Sequence, residues 1–227
     1  IRDAGLGDGN LMPLVAERML VSGNVRGCLD YCRKNEVATG AGLAVIMARC
    51  YIQLADYAAA LNTLARGAEG GERSYWTGLA LFLDGRPAEA GPALDEALKA
   101  DCRADSCRRM LGDIAAAAGD HARAAGYYRQ VARVAAPDAQ DTARYAYAAL
   151  RAGMTHLAIE GFRDLVALVP DCAEAWNNLG VLLARREEYE AAARAFKTAL
   201  GLVPGQAEAG TWLWCMTRSS AAARRSI

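Results

Sequence analysis

The sequence predicts an all-α protein built from repeated helix pairs. Three observations carry this reading. Hydrophobic residues make up 53% of the 227 positions, yet alanine dominates them and aromatics contribute only 7%. Alanine is the strongest helix former, and β-branched runs are scarce. A joint pattern of small and bulky residues recurs about every 34 positions. Glycines separate successive helical stretches, where a tight turn requires positive φ.

The register is clearest near the end of the chain. Stepping back from Gly180 by the period of about 34 reaches Ala146, Gly112 and Gly78. From Ala192 the same step gives Ala158, Ala124 and Ala90, and from Phe196 it gives Phe162, Tyr128 and Leu94. Ala199 leads to Leu165, Val131 and Ala97, while Pro204 leads only to Pro170. Gly153, Gly119 and Gly85 share the period and fall between the two helices of a pair. Gly180 lies inside a helix, where it costs about 1 kcal/mol relative to alanine. A close approach of its helix to the second helix at Ala192 would explain it.

Trp176, Leu179, Gly180, Leu183, Ala192, Phe196, Ala199 and Pro204 together resemble the tetratricopeptide repeat. The resemblance implies one right-handed superhelical solenoid over residues 1–227, with about six helix–turn–helix repeats and a C-terminal capping helix.

The repeats follow in order. Residues 9–40 form the first, with Gly23 as turn glycine, Cys28 as small residue and Cys32 as bulkier one. Residues 41–70 form the second if Ala60 takes the position of Ala90, which makes this repeat short by one helical turn or a loop. Residues 71–104, 105–138, 139–172 and 173–206 complete the series, and 207–227 reads as the cap. Pro92 breaks the pattern. An interior proline costs about 3 kcal/mol or more, so the helix starts late, after Pro87, or is kinked.

In the resembling family the first helices line a groove that holds a peptide or extended segment of a partner. Carried onto this sequence, the groove positions are Tyr75, Trp76 and Phe82, then Arg109 and Asp113, then Arg144, Tyr147 and Arg151, and finally Asn177, Asn178 and Arg185. Asparagines suit a peptide backbone and arginines suit a carboxylate. Solvated polar residues without a ligand are the competing account. Tyr75 and Trp76 have two readings, as aromatic anchors for a partner or as packing between repeats. Trp212 and Trp214, two positions apart, would face different ways on the cap. The family's carboxylate clamp is only partly matched, because Asp113 and Arg144 each stand where an asparagine is wanted.

Other function classes find little support. Lys+Arg and Asp+Glu both number 26, for a net charge of zero, so the basic footprint of a nucleic-acid binder is missing. Apolar runs fall short of the ~20 residues a membrane span needs. The polar start "IRDAGLGDGN" lacks the apolar core of a secretory signal, which makes a cytoplasmic setting the expectation. A periplasmic one would follow from removal of a signal. The seven cysteines show neither a disulfide framework nor a zinc pair. Cys28 and Cys32 share a helix face but occupy packing positions. His121 and His156 lack partners at metal-ligand spacing, and "GLGDG" lacks the strand and Lys-Ser/Thr of a phosphate loop. No cofactor and no catalysis are expected.

The expected function is a protein-interaction scaffold or adaptor, without nucleic acid as partner. Its alanine- and arginine-rich composition suggests a bacterial source, and the resemblance implies pilus or secretion assembly or a chaperone role. The alternative is a regulatory or targeting module of a larger enzyme such as a transferase. The absent initial Met and the abrupt end "AAARRSI" motivate it.

Overall fold

A computed structural model describes residues 11–39, 43–133 and 138–203. Among the described residues there are twelve α-helices and no strand. They run α1 (Leu11–Val21), α2 (Val25–Thr39), α3 (Ala44–Gln53), α4 (Tyr57–Ala65), α5 (Gly71–Leu83) and α6 (Pro87–Lys99). Then come α7 (Ala104–Ala117), α8 (His121–Ala132), α9 (Ala139–Arg151), α10 (Thr155–Leu168), α11 (Ala173–Arg185) and α12 (Tyr189–Leu202). The expected cap at 207–227, with Trp212 and Trp214, lies outside the described residues.

Each odd helix joins the next even helix through the same tight turn. One residue per turn is left-handed: Gly23, Ala55, Gly85, Gly119, Gly153 and Glu187, with φ of 81°, 58°, 77°, 81°, 70° and 63°. The backbone closure is also shared. Gly153 N–H donates to Leu150 O at 3.1 Å and Met154 N–H to Ala149 O at 3.0 Å. Glu187 and Glu188 donate in the same way to Ala184 and Leu183, both at 3.0 Å. This Schellman pattern satisfies carbonyls that the helix end leaves without partners. The next helix starts at once, with Asp56 and Asp120 accepting from the N–H groups of Ala59 and Arg123.

The chain divides into two compact units, residues 1–114 and 115–227. In the first, α1 packs on α2, α3 on α4 and α5 on α6, with further packing of α2 on α3 and α4 on α5. Its core includes Ala16, Leu20, Cys28, Cys32, Leu43, Met47 and Cys50, and a second cluster joins Ala48, Ala60, Leu64 and Ala80. In the second, α8 to α12 pack each on the next around Tyr128, Tyr145, Phe162, Leu182 and Phe196. Helix α7 runs through the division and contributes Ala115 to this second core.

Gly180 is explained by a different neighbour from the one the register suggests. A Cβ there would lie 2.6 Å from Phe196 Cε1, so the close partner is the Phe196 ring rather than Ala192. Gly78 stands in the same relation to Leu94, at 2.6 Å. In the third hairpin of this register the small residue is Ala146, and the glycine moves to the opposite helix. A Cβ on Gly161 would meet Ala146 Cα at 2.9 Å. One methyl group gained on the first helix is offset by one lost on the second, as close packing requires.

Two irregularities of the sequence also resolve. The short second repeat lost helix rather than loop: α4 has 9 residues where α6 has 13. Helix α6 begins at Pro87, whose missing N–H is harmless in the first turn, and continues through Pro92 to Lys99.

Candidate functional site

The groove positions expected from the register fall on α5, α7, α9 and α11. In the first unit, Trp76 is the centre of a closed cluster. Its ring packs edge-on against Tyr75 at 5.1 Å between centroids. The guanidinium carbons of Arg49 and Arg103 lie 5.2 and 5.0 Å from its centroid, within cation–π range. Trp76 Nε1–H donates to Glu72 at 2.7 Å, and Glu72 also pairs with Arg103 at 3.3 Å. Arg49 donates to both carboxylate oxygens of Glu17, at 2.7 and 2.6 Å.

The Trp76 indole N–H, Arg49, Arg103, Glu72 and Glu17 thus each have a partner within the protein. Tyr75, placed on the surface by the register, is buried at 7% exposure. Its packing against Trp76 and Arg103 favours the inter-repeat account of this aromatic pair. Phe82 is half-buried on α5, and Arg109 and Asp113 are half-buried on α7.

The second unit is more open. Arg144, Tyr147 and Arg151 follow one face of α9, since residues three, four and seven apart align along a helix. They line a cavity of about 250 Å³ together with Ala116, His121, Tyr128 and Ala148. Two alanines and two tyrosines supply apolar surface to this lining, and two arginines and a histidine supply cationic or polar groups.

Tyr147 is fixed in place from two sides. Its ring stands edge-on to Phe162 at 5.1 Å. Its hydroxyl accepts from Asn178 Nδ2 on α11 at 3.5 Å, with Glu174 of the same helix nearby. Burial first, and Glu174 second, push this phenol above its ordinary pKa.

Asn177 is half-buried, and its Oδ1 has no hydrogen-bond partner among the described residues. Arg185 is exposed at the end of α11 and does not line the cavity. Arg144 is held 3.9 Å from the buried Asp141, a long contact for an ion pair. Arg151 is exposed and has no ion pair among the described residues.

Reasoning from the register missed Arg49, Arg103, Glu72, Glu17 and His121. Arg103 sits in a left-handed turn position, φ 50°, between α6 and α7. No periodic signal marks such a residue. His121 was visible as the first residue of its helix, but only the packing of α8 on α9 brings it to the cavity.

The helix-pair geometry agrees with what the sequence matches. The family model described as tetratricopeptide repeat matches residues 47–106, 92–141 and 144–207. The chain belongs to the tetratricopeptide repeat family. Its fold class is the all-α solenoid of that family. The first hairpin, α1 and α2, lies before the matched residues and repeats the same turn.

Solved tetratricopeptide structures are similar at low identity. The C-terminal part of a TPR repeat-containing protein from Cytophaga hutchinsonii is 16% identical, with 90% of this chain and 84% of that chain covered and a TM-score of 0.66. MamA from Desulfovibrio magneticus RS-1 is 22% identical over 68% of this chain and 88% of that chain, with a TM-score of 0.53. The Cut9–Hcn1 hetero-tetramer of the APC/C is 14% identical, with a TM-score of 0.54, and the alignment covers 92% of this chain and 42% of that one. No curated protein matches the sequence. These likenesses extend to the fold. Tetratricopeptide repeat proteins bind other proteins or peptides and are generally non-catalytic. Among the described residues, no helix is long and apolar enough to cross a membrane, and no group of three His, Cys, Asp or Glu could hold a metal ion.

Proposed function

We propose that this chain is a protein-interaction scaffold that holds an extended segment of a partner along α9 and α11. The observation that carries this reading is the α8–α9 cavity. There, Arg144, Tyr147 and Arg151, singled out by the repeat register, line one depression together with Ala116, Tyr128 and Ala148. Asn178, linked to Tyr147, extends the polar line onto α11. A peptide backbone needs donors and acceptors at intervals, and its side chains need sockets. This surface offers both. The similar Cut9–Hcn1 structure is a hetero-tetramer, so one array of this fold works within an assembly. Roles in pilus or secretion assembly, or as a substrate chaperone, would each use the same mode of contact.

Selection of a displayed random-peptide library on the purified chain tests this. The reading expects peptides whose binding weakens at least about tenfold in the Arg144→Glu/Asn178→Ala double variant, with an unchanged circular-dichroism melt. Selected peptides that bind the double variant equally well would rule out this surface.

A further inference from the structure

We infer that the α8–α9 cavity reads a particular chemistry: an internal acidic segment with one bulky aliphatic residue between two carboxylates. This rests on the scaffold reading above and specifies its partner. Three observations carry it.

The first is size. A cavity of about 250 Å³ is below the 300–1,000 Å³ typical of small-molecule sites, and it suits a single side chain. Ala116, Ala148, Tyr128 and Tyr147 in its lining give an aliphatic group apolar contact.

The second is charge. Arg144, Arg151 and His121 stand on the cavity lining, and no carboxylate does. Asp141 on α9 and Glu174 on α11 are outside this lining. Asp141 has a side chain only 4% exposed and stays 3.9 Å from Arg144. Glu174 lies near the Tyr147 hydroxyl. The contrast with the first unit is direct. There Arg49 and Arg103 pair with Glu17 and Glu72 at 2.6 and 3.3 Å, whereas Arg144 has only the long 3.9 Å contact to Asp141 and Arg151 has no ion pair among the described residues.

The third is spacing. Arg144 and Arg151 are seven residues apart, which is about 10 Å along a helix at 1.5 Å per residue. An extended chain advances about 3.3 Å per residue. Carboxylates four residues apart span about 13 Å and share one face of an extended chain with the residue midway between them, so both meet the long, flexible guanidinium side chains while that aliphatic residue enters the cavity. Charge-assisted contacts of this kind are the strong ones. Nothing in this arrangement calls for a chain terminus.

The test uses two fluorescein-labelled, C-terminally amidated peptides, Gly-Ser-Glu-Ser-Leu-Ser-Glu-Ser-Gly and its twin with both Glu replaced by Gln. Anisotropy is measured with the whole chain at low salt. The acidic peptide is expected to bind at least about tenfold more tightly, and to weaken as salt rises. Arg151→Glu should abolish the preference while Arg151→Lys keeps part of it. Arg151 is exposed, so its variants should fold. Equal binding of the two peptides, or a preference that survives Arg151→Glu, would overturn the acidic reading and leave the scaffold intact. No saturable binding of the acidic peptide up to about 1 mM would also overturn it. The library selection judges the scaffold independently, because it presupposes no charge.

Discussion

Glu187 occupies a backbone conformation that glycine holds in the equivalent turns. Its φ of 63° matches the 70° of Gly153. A left-handed L-residue costs roughly 1–2 kcal/mol, and glycine avoids that at a smaller entropic penalty. Glu187→Gly is therefore expected to raise stability by up to about 1 kcal/mol. Gly153→Ala should lower it by about 1 kcal/mol; a side chain there would meet nothing within 4 Å, so the loss would be backbone strain alone. Urea denaturation of both variants checks the pair, and equal midpoints would deny the strain. The glycine turns were legible in the sequence because glycine itself marks them. Ala55 and Glu187 were not, since their conformation is imposed by the hairpin closure rather than favoured by the residue. Gly180 was legible as a site of close approach. Its true neighbour, Phe196, was not, because periodicity gives facing helices but not the rotamer that fills the space between them.

At the scale of the helix, α6 carries a local conflict. Pro92 lies five residues past the helix start and is exposed, so it removes one backbone hydrogen bond without contributing buried contacts. Pro92→Ala should stabilise the chain by about 1–3 kcal/mol, read as a higher melting temperature; a lower one would show that the proline supports the native packing. The helix persists because its other face is well anchored. Ala90, Leu94 and Ala97 are fully buried, and Leu94 sits against the backbone that Gly78 leaves bare. Tertiary burial overrides intrinsic propensity here. The same balance explains the short α3–α4 hairpin, which keeps its packing positions Ala60 and Leu64 buried despite losing a turn of helix.

At the scale of the molecule, both units bury groups that resist losing a proton. Burial, then the neighbouring Cys28, pushes Cys32 up to about 12 from 9.0, and burial raises Cys50 as well. In the second unit Tyr145 and Tyr147 are raised, again chiefly by burial. A raised folded-state pKa means that the native state holds the proton more tightly than the unfolded chain does. Its stabilising contribution is complete below the unfolded value and disappears as pH climbs towards the folded one. The urea midpoint should therefore stay level up to about pH 8 and fall above about pH 9, less steeply in Cys32→Ala. A level midpoint through the alkaline range would contradict the burial of these groups. The sequence by itself determined the helix-pair class, the register of small and bulky residues, and the face that carries Arg144, Tyr147 and Arg151. Those features depend on spacing along one or two adjacent helices, which the chain prints directly. Only the tertiary structure decided that Trp76 is enclosed by Arg49 and Arg103, that Tyr75 is core, and that His121 and Tyr128 complete the cavity beside α9. Those are contacts between separate helices and turns, fixed by how the layers pack and not by the period that generates them.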